Sequence, residues 1–371
     1  MRWALVAVLA GCSFSAKPGN NMGTPDGSAM RDAHVDSARD APPDAFDDKC
    51  FGGGAFYVCL AATPTGAQSL PSDVDTTACS GTGFHPAMMA TTPVCVFAGA
   101  SVDIGDTVVH GSRPLVIAAT GDINETGYLD ASSATGRSDG PAANDAACAT
   151  LNAGATSGNM GGGGAGGSFG TQGAPGAAGN NGAAAGGAAA AIVQAPVSQL
   201  RGGCAGGSGA PGAAAAATGG SGGGAVMLVA RGTIMIDGTI DVSGAGGVGG
   251  HSAKGGGGGG GSGGMIVLHG TVAATTNAIL FANGGGAGGG AGQGTDGKPG
   301  ADATAYNTPA AGAATNGGGS TAGGNGATQT QAPTSPGTSG TGGGGGGGGL
   351  GVIRLLGGAS LQNAHYSPAP S

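Results

Sequence analysis

Aromatic side chains are scarce in this sequence, 4% of 371 residues with a single tryptophan. Charged residues are scarce too, at 9% against about 25% in an average globular chain. An ordinary side-chain core running the whole length is therefore excluded. Lysine and arginine together number 12, and the formal charge is −8. Nucleic acid needs a clustered basic footprint to release counterions from phosphates, so it is excluded as a partner. The apolar stretches are all shorter than the roughly 20 residues that cross a hydrocarbon core. Cys-x-x-Cys is missing, and His34, His85, His110, His251, His269 and His365 form no ligand-spaced pair, so the sequence points to no metal and no cofactor. What is abundant is glycine, 90 residues, where an average composition has about 7%.

The chain repeats itself. Shifted by 111 positions, Gly232, Ile234, Gly238, Asp241 and Ser243 fall on Gly121, Ile123, Gly127, Asp130 and Ser132. A third copy begins at Met265, aligned by one inserted residue before Ile279 so that Leu280 matches Asp241, and a half copy spans 351–357. Within the best copy Ile234, Ile236, Ile240 and Val242 alternate with Met235, Asp237 and Asp241, the period of two expected when one strand face is buried. Copies in constant register predict an all-β fold, a right-handed parallel β-helix over 100–371, in which each unit buries the face its neighbour leaves open. An antiparallel sandwich is the alternative that short strands also permit.

Before the repeats come three segments. Met1-Arg2 and the short apolar run from Trp3 lead to Leu9-Ala10-Gly11-Cys12, which resembles the lipobox of bacterial lipoproteins and implies a signal peptide over 1–11 and acylation at Cys12. Residues 12–49 are rich in Asp, Ala and Pro, too poor in apolar groups to offset the entropy of ordering them, and are expected to be a disordered tether. Residues 50–99 return to strand-forming residues and hold Cys50, Cys59, Cys79 and Cys95. Two bridges are expected there, Cys50–Cys59 and Cys79–Cys95 among the possible pairings, stapling a cap over the first coil.

Glycine-rich insertions separate the copies, at 134–222, 245–262 and 284–349. Glycine holds a three-residue phase at 161, 164, 167, 170, 173, 176, 179 and 182, and again at 203, 206, 209 and 212. Period three suits polyproline-II-like helices whose bare glycine face lets neighbours approach. Collagen would need long uninterrupted triplets on three chains, and a flexible linker remains the competing description. Cys148 and Cys204 lie inside the first insertion, and a bridge between them would staple it.

The lipobox, the Asp/Ala/Pro tether, the four-cysteine segment, Ser112-Arg113-Pro114-Leu115-Val116 and the strand openings after poly-glycine resemble the Gly-rich surface or secreted lipoproteins of myxobacteria and related soil bacteria, a family of unknown function. The resemblance implies a lipid-anchored, extracytoplasmic protein of the outer membrane or cell surface and no particular activity. Gly-x-Ser-x-Gly at Ser221 and Ser262 precedes strands rather than following them, unlike a hydrolase elbow. Proline at 299 spoils the near phosphate loop ending at Lys298, and Asp296 and Asp302 lack the spacing of calcium-binding repeats. The expected function is structural or adhesive and non-catalytic. A polysaccharide-binding or polysaccharide-degrading β-helix, using Asp122, Asp130, Asp237, Asp241 and Arg231, is the alternative. An ice-binding or lectin-like module is a second one, for which Thr233, Thr239 and Thr271 do not make the regular threonine ladder that an ice face wants. The partners implied are the membrane, through acylated Cys12, and an extracellular polysaccharide or surface matrix.

Overall fold

The computed structural model describes residues 47–371 apart from 149–151, 180–181, 193–198, 214, 252–253 and 338–339. Cys12, the leader and the tether up to residue 46 lie outside the described residues. The last tether residues, 47–49, are fixed: Asp48 pairs with Arg231 at 2.6 Å, and Leu60 N–H donates to Lys49 O.

Among the described residues the regular elements are all strands: β1 (Cys50–Gly53), β2 (Phe56–Cys59), β3 (Ala67–Ser69), β4 (Asp73–Asp75), β5 (Phe84–Met89), β6 (Thr92–Gly99), β7 (Ser101–Ile104), β8 (Thr107–His110), β9 (Leu115–Ala119), β10 (Ile123–Glu125), β11 (Tyr128–Asp130), β12 (Thr156–Ser157), β13 (Met160–Gly161), β14 (Ala225–Ile236), β15 (Thr239–Asp241), β16 (Met265–Ala274), β17 (Ile279–Phe281), β18 (Val352–Leu356) and β19 (His365–Ser367). One sheet runs β1-β2-β5-β6-β9-β14-β10-β7-β3 with β16 and β18 continuing from β14, and a second runs β19-β17-β15-β11-β8-β4. All pairs of the second sheet are parallel, as are the pairs that join β6, β9, β14, β16 and β18.

The register follows the sequence offset. Ile123 pairs with Ile234, Leu129 with Ile240 and Asp130 with Asp241. The third copy differs from its sequence alignment. β16 is two residues shorter than β14 across the irregularity after Val229, regains both before Ile279, and sets Phe281 rather than Leu280 opposite Asp241. A one-residue slip would have turned Leu280 out of the core. Instead Leu280 points inward with Ile240 and Leu129.

β9 and the first parts of β14 and β16 are buried on both faces, which is why they read as continuous apolar runs. Leu115, Ile117, Val226, Leu228, Ile266 and Leu268 fill the space between the sheets. The alternate residues Val116, Ala118, Met227, Val229, Met265 and Val267 face the other way, against Phe51, Phe56, Val58 and Met89 from the first strands. Residues 50–99, expected as a cap, therefore have two roles. The β1-β2 hairpin covers the outer face of the long sheet, while β6 extends that sheet beside β9 and β3 and β4 extend the array beside β7 and β8.

The glycine-rich insertions are ordered. Consecutive N–H groups in 255–264 donate in three-residue phase to three different segments: Gly256, Gly259 and Ser262 to 202–211, Gly257, Gly260 and Gly263 to 341–351, and Gly258, Gly261 and Gly264 to 242–250. The same segment accepts from 161–168, 217–224 and 282–291. It is thus enclosed on all sides by extended neighbours. Segments 161–168, 282–291 and 341–351 are enclosed likewise. The segments around them, such as 173–179 and 309–315, show alanine and proline on their outer sides. A β-carbon at Gly259 would overlap the carbonyl oxygen of Ala165, and one at Gly345 that of Gly258, so these two positions admit no side chain.

Candidate functional site

The two aspartates of the repeat stand on neighbouring strands where the second sheet meets the insertions. The strand period turns Leu129 and Ile240 into the core and Tyr128, Asp130 and Asp241 outward. The first residues of each insertion then fold over the carboxylates, leaving Asp130 7% and Asp241 1% exposed. Asp241 Oδ2 accepts from Tyr128 Oη at 2.8 Å, and its Oδ1 accepts from Ser243 N–H at 2.8 Å. Asp130 Oδ1 accepts from Ser132 N–H and Oγ at 3.1 and 2.6 Å, and Oδ2 from Arg137 Nη1 at 2.8 Å.

Burial pushes Asp241 up to about 7, against the lowering effect of the Ser243 and Tyr128 hydrogen bonds and with a further push from the charge of Asp130. Burial, then the charge of Asp241, raises the Tyr128 hydroxyl. The hydrogen bond to Asp130 holds Arg137 above its ordinary value. Repulsion between two carboxylates is thus relieved by a guanidinium and by a carboxyl that holds its proton to near neutrality. Both aspartates are buried although they point away from the core between the sheets, because the insertions cover this face. Among the described residues no group of three or more metal-ligating side chains is found. Sequence reasoning missed Arg137. It follows the strand by seven residues in a polar turn, with no repeat partner to mark it.

The remaining acidic residues of the degradative alternative are dispersed. Asp122 accepts from Thr233 N–H at 2.7 Å, and Asp237 bonds Thr275 Oγ1 and Asn277 Nδ2. Arg231 is committed to Asp48, Asp47 O and Cys50 O at the first hairpin. Asp302 bonds the backbone amides of Thr135 and Gly246, tying insertions together. Glu125 faces the core and is pushed up to about 8 by burial, with Gly238 N–H on its Oε2. Ser262 is fully buried, its Oγ bonded to Cys204 N–H and Gly263 O, so it serves the bundle. Thr233 and Thr271 are opposite one another, but Thr239 lies between Tyr128 and Ile279, so no threonine ladder forms.

Among the described residues three disulfides join Cys50 to Cys59, Cys79 to Cys95 and Cys148 to Cys204. The first closes the β1-β2 hairpin and the second holds the 79–82 turn to β6. The third fastens 202–211 to the loop after Pro141, with Cys204 buried among Phe169, Leu200 and Met227. Among the described residues no helix is long and apolar enough to cross a membrane. No family model matches the chain, and neither a curated protein nor a solved structure matches it.

Proposed function

We propose that this protein is a lipid-anchored structural or adhesive component of a bacterial cell surface, without catalytic activity, of the kind its resemblance to Gly-rich surface lipoproteins implies. Its body is a right-handed parallel β-helix whose insertions form a polyglycine-II-like bundle, and acylated Cys12 ties that body to the membrane. The observation that carries this reading is the bundle, where four glycine-rich segments are enclosed by hydrogen-bonded neighbours. Such packing consumes backbone donors and acceptors in a lattice and leaves few side chains for chemistry. Parallel pairing through β6, β9, β14, β16 and β18 supports the helical coil. Three disulfides suit an oxidising compartment.

Fractionation of cells expressing the full chain and its Cys12→Ser variant tests the assignment. The wild type is expected in the membrane fraction after salt and carbonate washes, with surface-added protease reaching residues of the bundle edge. Retention of the variant in membranes after the same washes would overturn the anchor.

A further inference from the structure

We propose that the recess between the N-terminal ends of β6 and β9 and the loop 142–146 binds an acidic sugar unit through its carboxylate. The recess has a volume of about 460 Å³ and is lined by, among others, Thr92, Ser112, Arg113, Asn144 and Asp145. That is the size of an ordinary small-molecule pocket, ~300–1,000 Å³. Arg113 is half-buried, and among the described residues its guanidinium has no partner. In a chain with 12 basic and 20 acidic residues, a half-buried cation without a carboxylate is conspicuous.

Two further observations bear on the ligand. Asp145 does not neutralise Arg113: its Oδ1 accepts from Ala147 N–H at 2.7 Å and lies 3.8 Å from Arg201 Nη1. Arg201 stands behind it, 5% exposed and stacked 5.1 Å over Phe169, with Nε and Nη2 lacking any partner among the described residues. The neighbourhood thus holds more buried positive charge than Asp145 answers. The loop's shape is set by its own backbone and by Asn144. Ala142 and Asn144 take left-handed backbone angles, φ 57° and 60°, and Asn144 links Asp139 Oδ2 to Gly222 N–H.

The lining has a particular chemistry. A guanidinium fork matches a carboxylate in two parallel hydrogen bonds. The hydroxyls of Ser112 and Thr92 and the outer oxygen of Asp145 supply donors and an acceptor for vicinal hydroxyl groups. In a polysaccharide, a uronic acid unit presents a carboxylate beside ring hydroxyls and fits this lining. A net charge of −8 provides no long-range attraction for an acidic polymer, so recognition rests on these contacts at short range. The choice of sugar acid rests on the cell-surface assignment above. Fractionation and binding read different quantities, so either can fail alone.

The test is a calorimetric titration of the full chain with oligogalacturonate and oligoglucuronate, with a neutral oligosaccharide of equal length, and with inorganic phosphate. Saturable binding of a uronate oligomer is expected, with binding of neutral sugar and phosphate at least tenfold weaker. Arg113→Gln is expected to weaken uronate binding tenfold or more at an unchanged melting midpoint, and Arg113→Lys to retain part of it. Should Arg113→Gln not fold, the amide resonances of Ser112 and Asn144 in the wild type are expected to shift on uronate addition. Absence of saturable uronate binding, equal binding of neutral sugar or phosphate, an unweakened Arg113→Gln, or shifts confined to other residues would overturn the site.

Discussion

Asp241 is a carboxyl that the fold keeps protonated to near neutral pH. Its ordinary value is 3.8 and burial raises it to about 7, while Glu125 rises from 4.5 to about 8. A raised carboxyl means the folded state holds a proton that the unfolded chain releases. Its stabilising effect is complete below the unfolded value and is lost as pH rises through the folded one. The melting midpoint is therefore expected to fall between pH 5 and pH 8, and Asp241→Asn to flatten part of that slope. An equal slope in the variant would assign the whole effect elsewhere. Tyr128→Phe removes the donor on Asp241 Oδ2 and should cost about 1–3 kcal/mol at pH 8, the range for an orphaned buried acceptor. The loss should shrink at pH 5, where the carboxyl is neutral. Denaturant unfolding at both pH values measures it. At this scale the repeat itself revealed which aspartates pair. That they are buried was not legible, because burial comes from insertions that share no register with the strands.

Glycine content sorts the segments of the bundle by position. The uninterrupted runs 255–261 and 342–349 lie inside, where every direction holds a backbone neighbour. Where glycine recurs only every third residue, as in 173–179, the other two positions show alanine or proline and the segment lies at the edge. Gly259→Ala or Gly345→Ala should destabilise the protein by about 3 kcal/mol or more, since the methyl group meets backbone rather than a flexible side chain. Ala311→Ser at an exposed edge position should stay within about 0.5 kcal/mol of wild type. Thermal melting of the three variants checks the ordering. Three-residue phase was visible in the sequence. The pairing order was not, because near-identical segments carry no side chains to distinguish one neighbour from another. The third repeat copy shows a related limit. Compensating changes of two residues around 269–279 leave little trace in an alignment, and only the core direction of Leu280 fixes the register.

At the scale of the described residues, the parallel sheets and the glycine-rich bundle are one structure, since each insertion leaves from a strand end and returns to a later parallel strand. Cys148–Cys204 spans 56 residues and joins two distant parts of the first insertion. Removing it with serine at both positions should cost about 4 kcal/mol by the loop-entropy relation, read as a lower denaturation midpoint. The competing description of the insertions is a set of flexible linkers, and the two differ most in how long their amides stay protected. Native-state hydrogen exchange of the full chain, resolved to peptides covering 255–264 and 341–351, reads that protection. These peptides are expected to exchange as slowly as β14 and β16, at the rate of global unfolding. Exchange of both peptides within seconds, while β14 and β16 remain protected, would contradict the ordered bundle.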